Sequence, residues 1–185
     1  MNVSHDPAVA TKELLAYCRA NDWAGHDPYD ALNSRLLSAL PFLDSRLPRL
    51  ALTQALKRSP IDIRRFAMVP PTQNPKGIAL FLTALIKMER AGVPQRDLAA
   101  FMIDRLWALR SPDVPYWCWG YSFPWQTRTV LVPRQSPNLV CTTFAGNALL
   151  DAYERLHDHQ LLDMATSAAG YLVDELFWSS DSAAC

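Results

Sequence analysis

Two helix-ending tripeptides constrain the fold of this chain most, because they recur with a long offset. One helical pattern ends at Arg58-Ser59-Pro60 and another at Arg110-Ser111-Pro112, so Pro112 falls 52 positions after Pro60. Each is followed by a long loop and then a helix-start signal, Asn74-Pro75 in the first case and Ser136-Pro137 in the second. Proline is pre-set for a first helical turn, and Asn or Ser before it accepts a hydrogen bond from an orphan backbone N–H. A period of about fifty residues suits one helical hairpin, with an inner helix facing a core and an outer helix covering it. The chain therefore reads as all-α, built from repeated helical hairpins in a single domain spanning residues 1–185.

Hydrophobic periodicity supplies the remaining helices, and no segment alternates convincingly as a strand. Asp6-Pro7 opens a first helix running to about Ala20, and Tyr29 or Asp30 opens a second, with Leu32, Leu36, Leu37 and Leu40 at helical spacing up to Pro41. A third runs from Ser45 to Arg58. The fourth, after Asn74-Pro75, is apolar nearly all round from Ile78 to Ile86, which predicts burial on most sides. The fifth, Pro94 to Arg110, carries one stripe of Leu98, Phe101, Met102, Leu106 and Leu109 and should lie outside. A mostly apolar sixth follows Ser136-Pro137, and a seventh runs from Leu161 to Phe177.

Composition excludes several classes. Eighteen basic residues balance 18 acidic ones, leaving no electrostatic footprint for nucleic acid. No apolar run approaches the roughly 20 residues that span a bilayer, and the start of the chain is polar, so a cytoplasmic protein without a membrane span is expected. Cys18, Cys118, Cys141 and Cys185 lie far apart without zinc-site spacing, and the four histidines fall near helix ends or in loops. No metal and no cofactor is expected. Cys118 would be a nucleophile only beside a base, and no histidine is placed to be one.

Between the fifth and sixth helices, Tyr116-Trp117-Cys118-Trp119-Gly120-Tyr121-Ser122-Phe123-Pro124-Trp125-Gln126-Thr127-Arg128 crowds six aromatic rings into one loop. Aromatic faces with donors beside them suit the apolar faces of sugar rings or other flat ligands. The same rings also suit a plug that fills a helical core, and sequence alone admits both. Trp119, Tyr121, Trp125, Gln126 and Arg128 are the candidate contact set.

Several further segments carry a resemblance: Gly25 with Asp27-Pro28-Tyr29-Asp30-Ala31-Leu32-Asn33-Ser34, Gln54-Ala55-Leu56-Lys57-Arg58-Ser59-Pro60-Ile61, Asn74-Pro75-Lys76-Gly77, Cys118-Trp119-Gly120-Tyr121 with Phe123-Pro124-Trp125-Gln126, and Ala148-Leu149-Leu150-Asp151-Ala152-Tyr153-Glu154. Together they resemble uncharacterised bacterial proteins encoded near exopolysaccharide genes. That group is similar to α/α-toroids, the ring of helical hairpins shared by N-acylglucosamine 2-epimerases, six-hairpin glycosidases, polysaccharide lyases and terpenoid cyclases. The resemblance implies a carbohydrate-binding or carbohydrate-modifying protein of polysaccharide biosynthesis, but carries no settled activity. A complete ring needs more helices than the seven read here, so the chain is expected to form about half of a toroid. Its open edge would then need a protein partner or a second copy.

If the ligand is an oligosaccharide or another sugar-containing molecule, hydrolysis would need paired carboxyl groups. Asp27 and Asp30 in the first loop are the candidates, with Asn33 one helical turn beyond Asp30 as a substrate contact. Asp30 also suits a helix start, and Asp62 and Asp113 lie in later loops. Epimerisation would want a histidine or another base on each ring face, for which the histidines are badly placed, and terpenoid cyclisation demands an aspartate-rich segment, for which Asp27-Pro28-Tyr29-Asp30 is a poor substitute. Whether the chain is an enzyme stays open at this level, and a non-enzymatic helical-repeat scaffold is the alternative.

Overall fold

A computed structural model describes residues 6–40 and 45–177, together with the backbone of the two-residue strands Ser179–Ser180 and Ala183–Ala184. Pro41 and Cys185, named above, and His5, one of the four histidines, lie outside the described residues. The fold is all-α apart from minimal strands. Its helices are α1 (Pro7–Ala20), α2 (Arg35–Ser38), α3 (Arg46–Arg58), α4 (Pro75–Arg90), α5 (Arg96–Ala108), α6 (Leu139–Leu156) and α7 (His159–Tyr171), the last running into a π-helical turn at Leu172–Leu176.

The caps explain where these helices begin. Asp6 accepts from the Ala8 N–H, Asn74 from Lys76, Asn138 from Cys141 and Asp158 from Gln160, each taking one orphan donor. The sixth helix thus starts two residues after the Ser136-Pro137 signal. The expected second helix is broken. Asp30–Asn33 forms a 3-10 turn, and Ser34 leaves the helical region at φ −62°, ψ 121°. Its Oγ donates to the Ala67 carbonyl at 2.5 Å and accepts from the Leu37 N–H at 3.1 Å. A side chain bonded to the backbone three residues on and to a distant loop outweighs the leucine periodicity here.

Helices α4 and α6 form the centre, with α5 laid on α4 and α7 on α6. The two central helices run in the same direction. Asn74 and Cys141 meet at their N-terminal ends, and Arg90 pairs with Glu154 at 2.9 Å at their C-terminal ends. Ile78, Ala79, Leu82, Leu85 and Ile86 of α4 interlock with Cys141, Ala145, Ala148, Leu149 and Ala152 of α6, all essentially without exposure. The small residues of α6 let it approach two helices closely, and burial on this scale supplies most of the folding drive. As predicted, α4 is buried on most sides and α5 covers it, with Leu98, Met102 and Leu106 facing in. Buried Glu89 bridges Arg96 at 3.2 Å and Arg155 at 3.3 Å, tying α4 to the start of α5 and the end of α6.

A second, smaller core of Ala31, Leu56, Ala67 and Val69 packs α3 on the 30–33 turn and on the loop after α3. Helix α1 has no buried residue and rests its Leu15 and Cys18 on the main core. The long aromatic loop contains a short antiparallel pair, β1 (Trp125–Gln126) with β2 (Leu131–Val132), that the sequence did not announce.

Candidate ligand-binding site

Three connecting segments gather at the end of the molecule where α4 and α6 begin. Gly25 and Thr72 exchange backbone hydrogen bonds, Ser122 Oγ donates to the Gln73 carbonyl, and Arg49 of α3 reaches Gln126 at 3.4 Å. Between them lies a cleft of about 520 Å³. This volume lies within the range of about 300–1,000 Å³ usual for small-molecule sites. Its walls are Asp27, Pro28 and Tyr29 from the first loop, Thr53 from α3, Lys76 from α4, and Tyr121, Phe123, Trp125 and Gln126 from the aromatic loop.

The aromatic loop divides its rings between two tasks. Tyr121 and Phe123 stack with centroids 5.4 Å apart and planes 13° apart, and Trp125 meets Tyr121 edge-on at 6.4 Å. These three rings line the cleft. Trp119 does the opposite: it is wholly buried, and its indole N–H donates to the Leu106 carbonyl at 2.7 Å, in the last turn of α5. Its backbone is held on both sides by Thr142 Oγ1, at 3.1 and 3.2 Å. Trp117 packs edge-on against Trp107 at 4.7 Å, and Arg110 lies over the Trp117 ring. Cavity lining and core plugging, open alternatives from sequence, are both realised in one loop.

The first loop is equally divided. Asp27 lines the cleft, and its Oδ1 accepts the Tyr29 N–H at 2.9 Å. Asp30 does not line it. At 2% exposure it receives Arg64 Nε at 3.2 Å on one oxygen, and on the other the His26 ring at 2.9 Å and the Asp27 N–H at 3.2 Å. The role read for Asp30 changes accordingly, from acid or base to the residue that fixes the Asp27 loop. Arg64 completes the knot by donating to the Asp27 carbonyl at 3.2 Å.

Asn33 lies outside the cleft walls with its amide nitrogen buried, and Arg128 is exposed on the turn of the β1–β2 hairpin, also outside them. Gln126 reaches the cleft, but its amide is engaged, accepting from Arg49 and donating to the Thr127 carbonyl at 3.1 Å. Lys76 and Thr53 join the site from helices that the sequence showed mainly as cores and caps. Lys76 Nζ sits 4.9 Å from the centre of the Phe144 ring.

The cleft walls carry one carboxylate, Asp27, and one ammonium, Lys76. Burial pushes the Tyr121 phenol up, and Cys141 and Asp27 add to the effect, so Tyr121 stays a neutral hydrogen-bonding group. Beneath the start of α6, burial pushes the Cys141 thiol up to about 11, so it is inert as a nucleophile at neutral pH. No group of three or more His, Cys, Asp or Glu able to hold a metal occurs among the described residues, and no helix there is long and apolar enough to cross a membrane. With Asp30 committed to Arg64, one carboxylate faces the cleft where glycoside hydrolysis uses two. No family model, no curated protein and no solved structure matches the chain.

Proposed function

We propose that the protein binds an oligosaccharide or another sugar-containing ligand in the cleft between the first loop and the aromatic loop. The observation that carries this is the aromatic lining of Tyr121, Phe123 and Trp125, which share the cleft with Tyr29, with Asp27, Lys76 and Thr53 as polar edges. Sugar rings present apolar faces and equatorial hydroxyls, and such a mixture of rings and a few directed polar groups suits both. The contact set is Asp27, Lys76, Tyr121, Phe123 and Trp125. A lone carboxylate favours binding over cleavage. Placement in polysaccharide assembly in the cytoplasm, and the view of the α4–α5 and α6–α7 hairpins as part of an α/α-toroid, belong to the same proposal. The parallel inner helices with one outer helix each support it. Glycan-array and thermal-shift screening with neutral and acidic oligosaccharides tests it. Binding lost in Trp125→Ala and kept in the exposed-site control Arg128→Ala is expected, and no response to any glycan overturns it.

A second reading, a scaffold covered by a partner or a second copy, is supported by the exposure of Leu80 on α4 and of Leu139, Val140 and Phe144 on α6. Light scattering of the purified chain tests it, since a strict monomer at high concentration counts against self-association.

A further inference from the structure

We infer that the ligand of the aromatic cleft continues past Asp27 into a second cavity, so that the site takes an oligomer of several sugar units rather than one ring. This rests on the carbohydrate reading above and adds the ligand's length. The second cavity, of about 270 Å³, shares Asp27 and Phe123 with the cleft. Alone it falls below the roughly 300 Å³ from which small-molecule sites begin, so it makes sense as an extension of its larger neighbour. Trp23 and Phe81, edge-on at 4.8 Å, give it an apolar wall, and His26 and Asn74 give it polar edges.

Two glycines single it out. Of the six glycines in the chain, Gly92 is required by its φ of 84°, and a Cβ on Gly120 would sit 1.9 Å from the Ser136 carbonyl oxygen. A Cβ on Gly146 or Gly170 would make ordinary contact with a neighbour. Gly25 and Gly77 alone combine an ordinary φ with empty space where a Cβ would stand. Neither conformation nor packing asks for glycine there, and Gly77, in the first turn of α4, carries the helix penalty of a residue without a side chain. Both line the second cavity. What their missing side chains preserve is its open volume and close access to its backbone.

Calorimetric titration of the full chain with β-1,4-linked glucose, glucosamine and galacturonate oligomers of one to six units tests this. In at least one series affinity should rise tenfold or more with length, and Gly77→Ala and Gly25→Ala should abolish that gain. Binding of the shortest oligomer should stay within twofold, and the melting temperature of Gly77→Ala should be unchanged or higher. Affinity that does not grow with length, or that survives both alanines, overturns the extension, and if Trp125→Ala still abolishes such binding the aromatic cleft stands without it. No binding in any series overturns the extension and the carbohydrate reading together.

Discussion

Arg64 and Asp30 form the ion pair on which the first loop is built: guanidinium Nε lies 3.2 Å from carboxylate Oδ1, the Arg64 side chain being 17% exposed and that of Asp30 2%. Breaking a buried pair by removing one partner leaves the other charge desolvated and unmatched, at a cost of about 3–5 kcal/mol. Asp30→Ala should therefore lower stability by several kcal/mol in urea denaturation. Asp27→Asn should cost less than about 1 kcal/mol, since Asp27 is half-exposed and its side-chain oxygen contact is one local turn bond. If both variants lose stability alike, the division of labour between these neighbours is wrong.

How much of this was legible beforehand depended on the range of the interactions involved. Asn74-Pro75 and Asp6-Pro7 announced their helices because capping is settled within three residues. The second helix departs from its leucine pattern because Ser34 answers to Ala67, 33 positions away, which no local pattern reports. Trp119 and Trp125 are indistinguishable by type and stand in the same loop; their fates part because Leu106 and Thr142 come from helices packed on one side of it. Lys76 stands in the sequence only within the Asn74-Pro75-Lys76-Gly77 helix start, and Thr53 carries no signal, because α3 meets the aromatic loop only through the tertiary fold.

The two tryptophans yield a paired test. Trp119→Phe keeps an aromatic ring but removes the N–H that satisfies an otherwise free carbonyl at the end of α5, and it leaves a void in the core. A loss of about 2–3 kcal/mol is expected, from a buried bond worth roughly 1–3 kcal/mol and the lost volume. Trp125→Ala opens onto the cleft, so it should shift stability by less than about 1 kcal/mol. Parallel denaturation curves check both, and comparable losses would remove the distinction between core ring and cleft ring.

Gly120 joins the two halves of the aromatic loop at a point of closest approach. An added Cβ would lie 1.9 Å from the Ser136 carbonyl oxygen and 2.5 Å from its carbon, both backbone atoms that no side-chain rotation can move away. Gly120→Ala should therefore displace the Gln135–Asn138 lead into α6, where Gln135 and Asn138 donate to the Tyr121 and Trp119 carbonyls. Overpacking of this kind costs about 1–3 kcal/mol. A drop of that size in the unfolding free energy, with weaker amide-exchange protection at the start of α6, is the expected result; an unperturbed variant would contradict the close approach.

Alkaline pH offers a probe of the same region through Cys141, whose thiol is pushed from 9.0 to about 11, chiefly by burial. The native state thus holds this proton more tightly than the unfolded chain does, and stability falls with pH wherever that is so. Its contribution is complete below pH 9 and is lost as pH rises through 11, amounting to roughly 2–3 kcal/mol at the rate of about 1.4 kcal/mol per unit. Burial also raises Cys118, Tyr121 and Tyr171, so the parent alone cannot apportion the loss. Cys141→Ala can: although less stable than the parent at pH 8 through the volume it gives up, it should lose less between pH 9 and 11. Urea denaturation of both proteins at half-unit intervals would measure the two slopes, and identical slopes would mean that the Cys141 thiol is not held protonated at the base of α6.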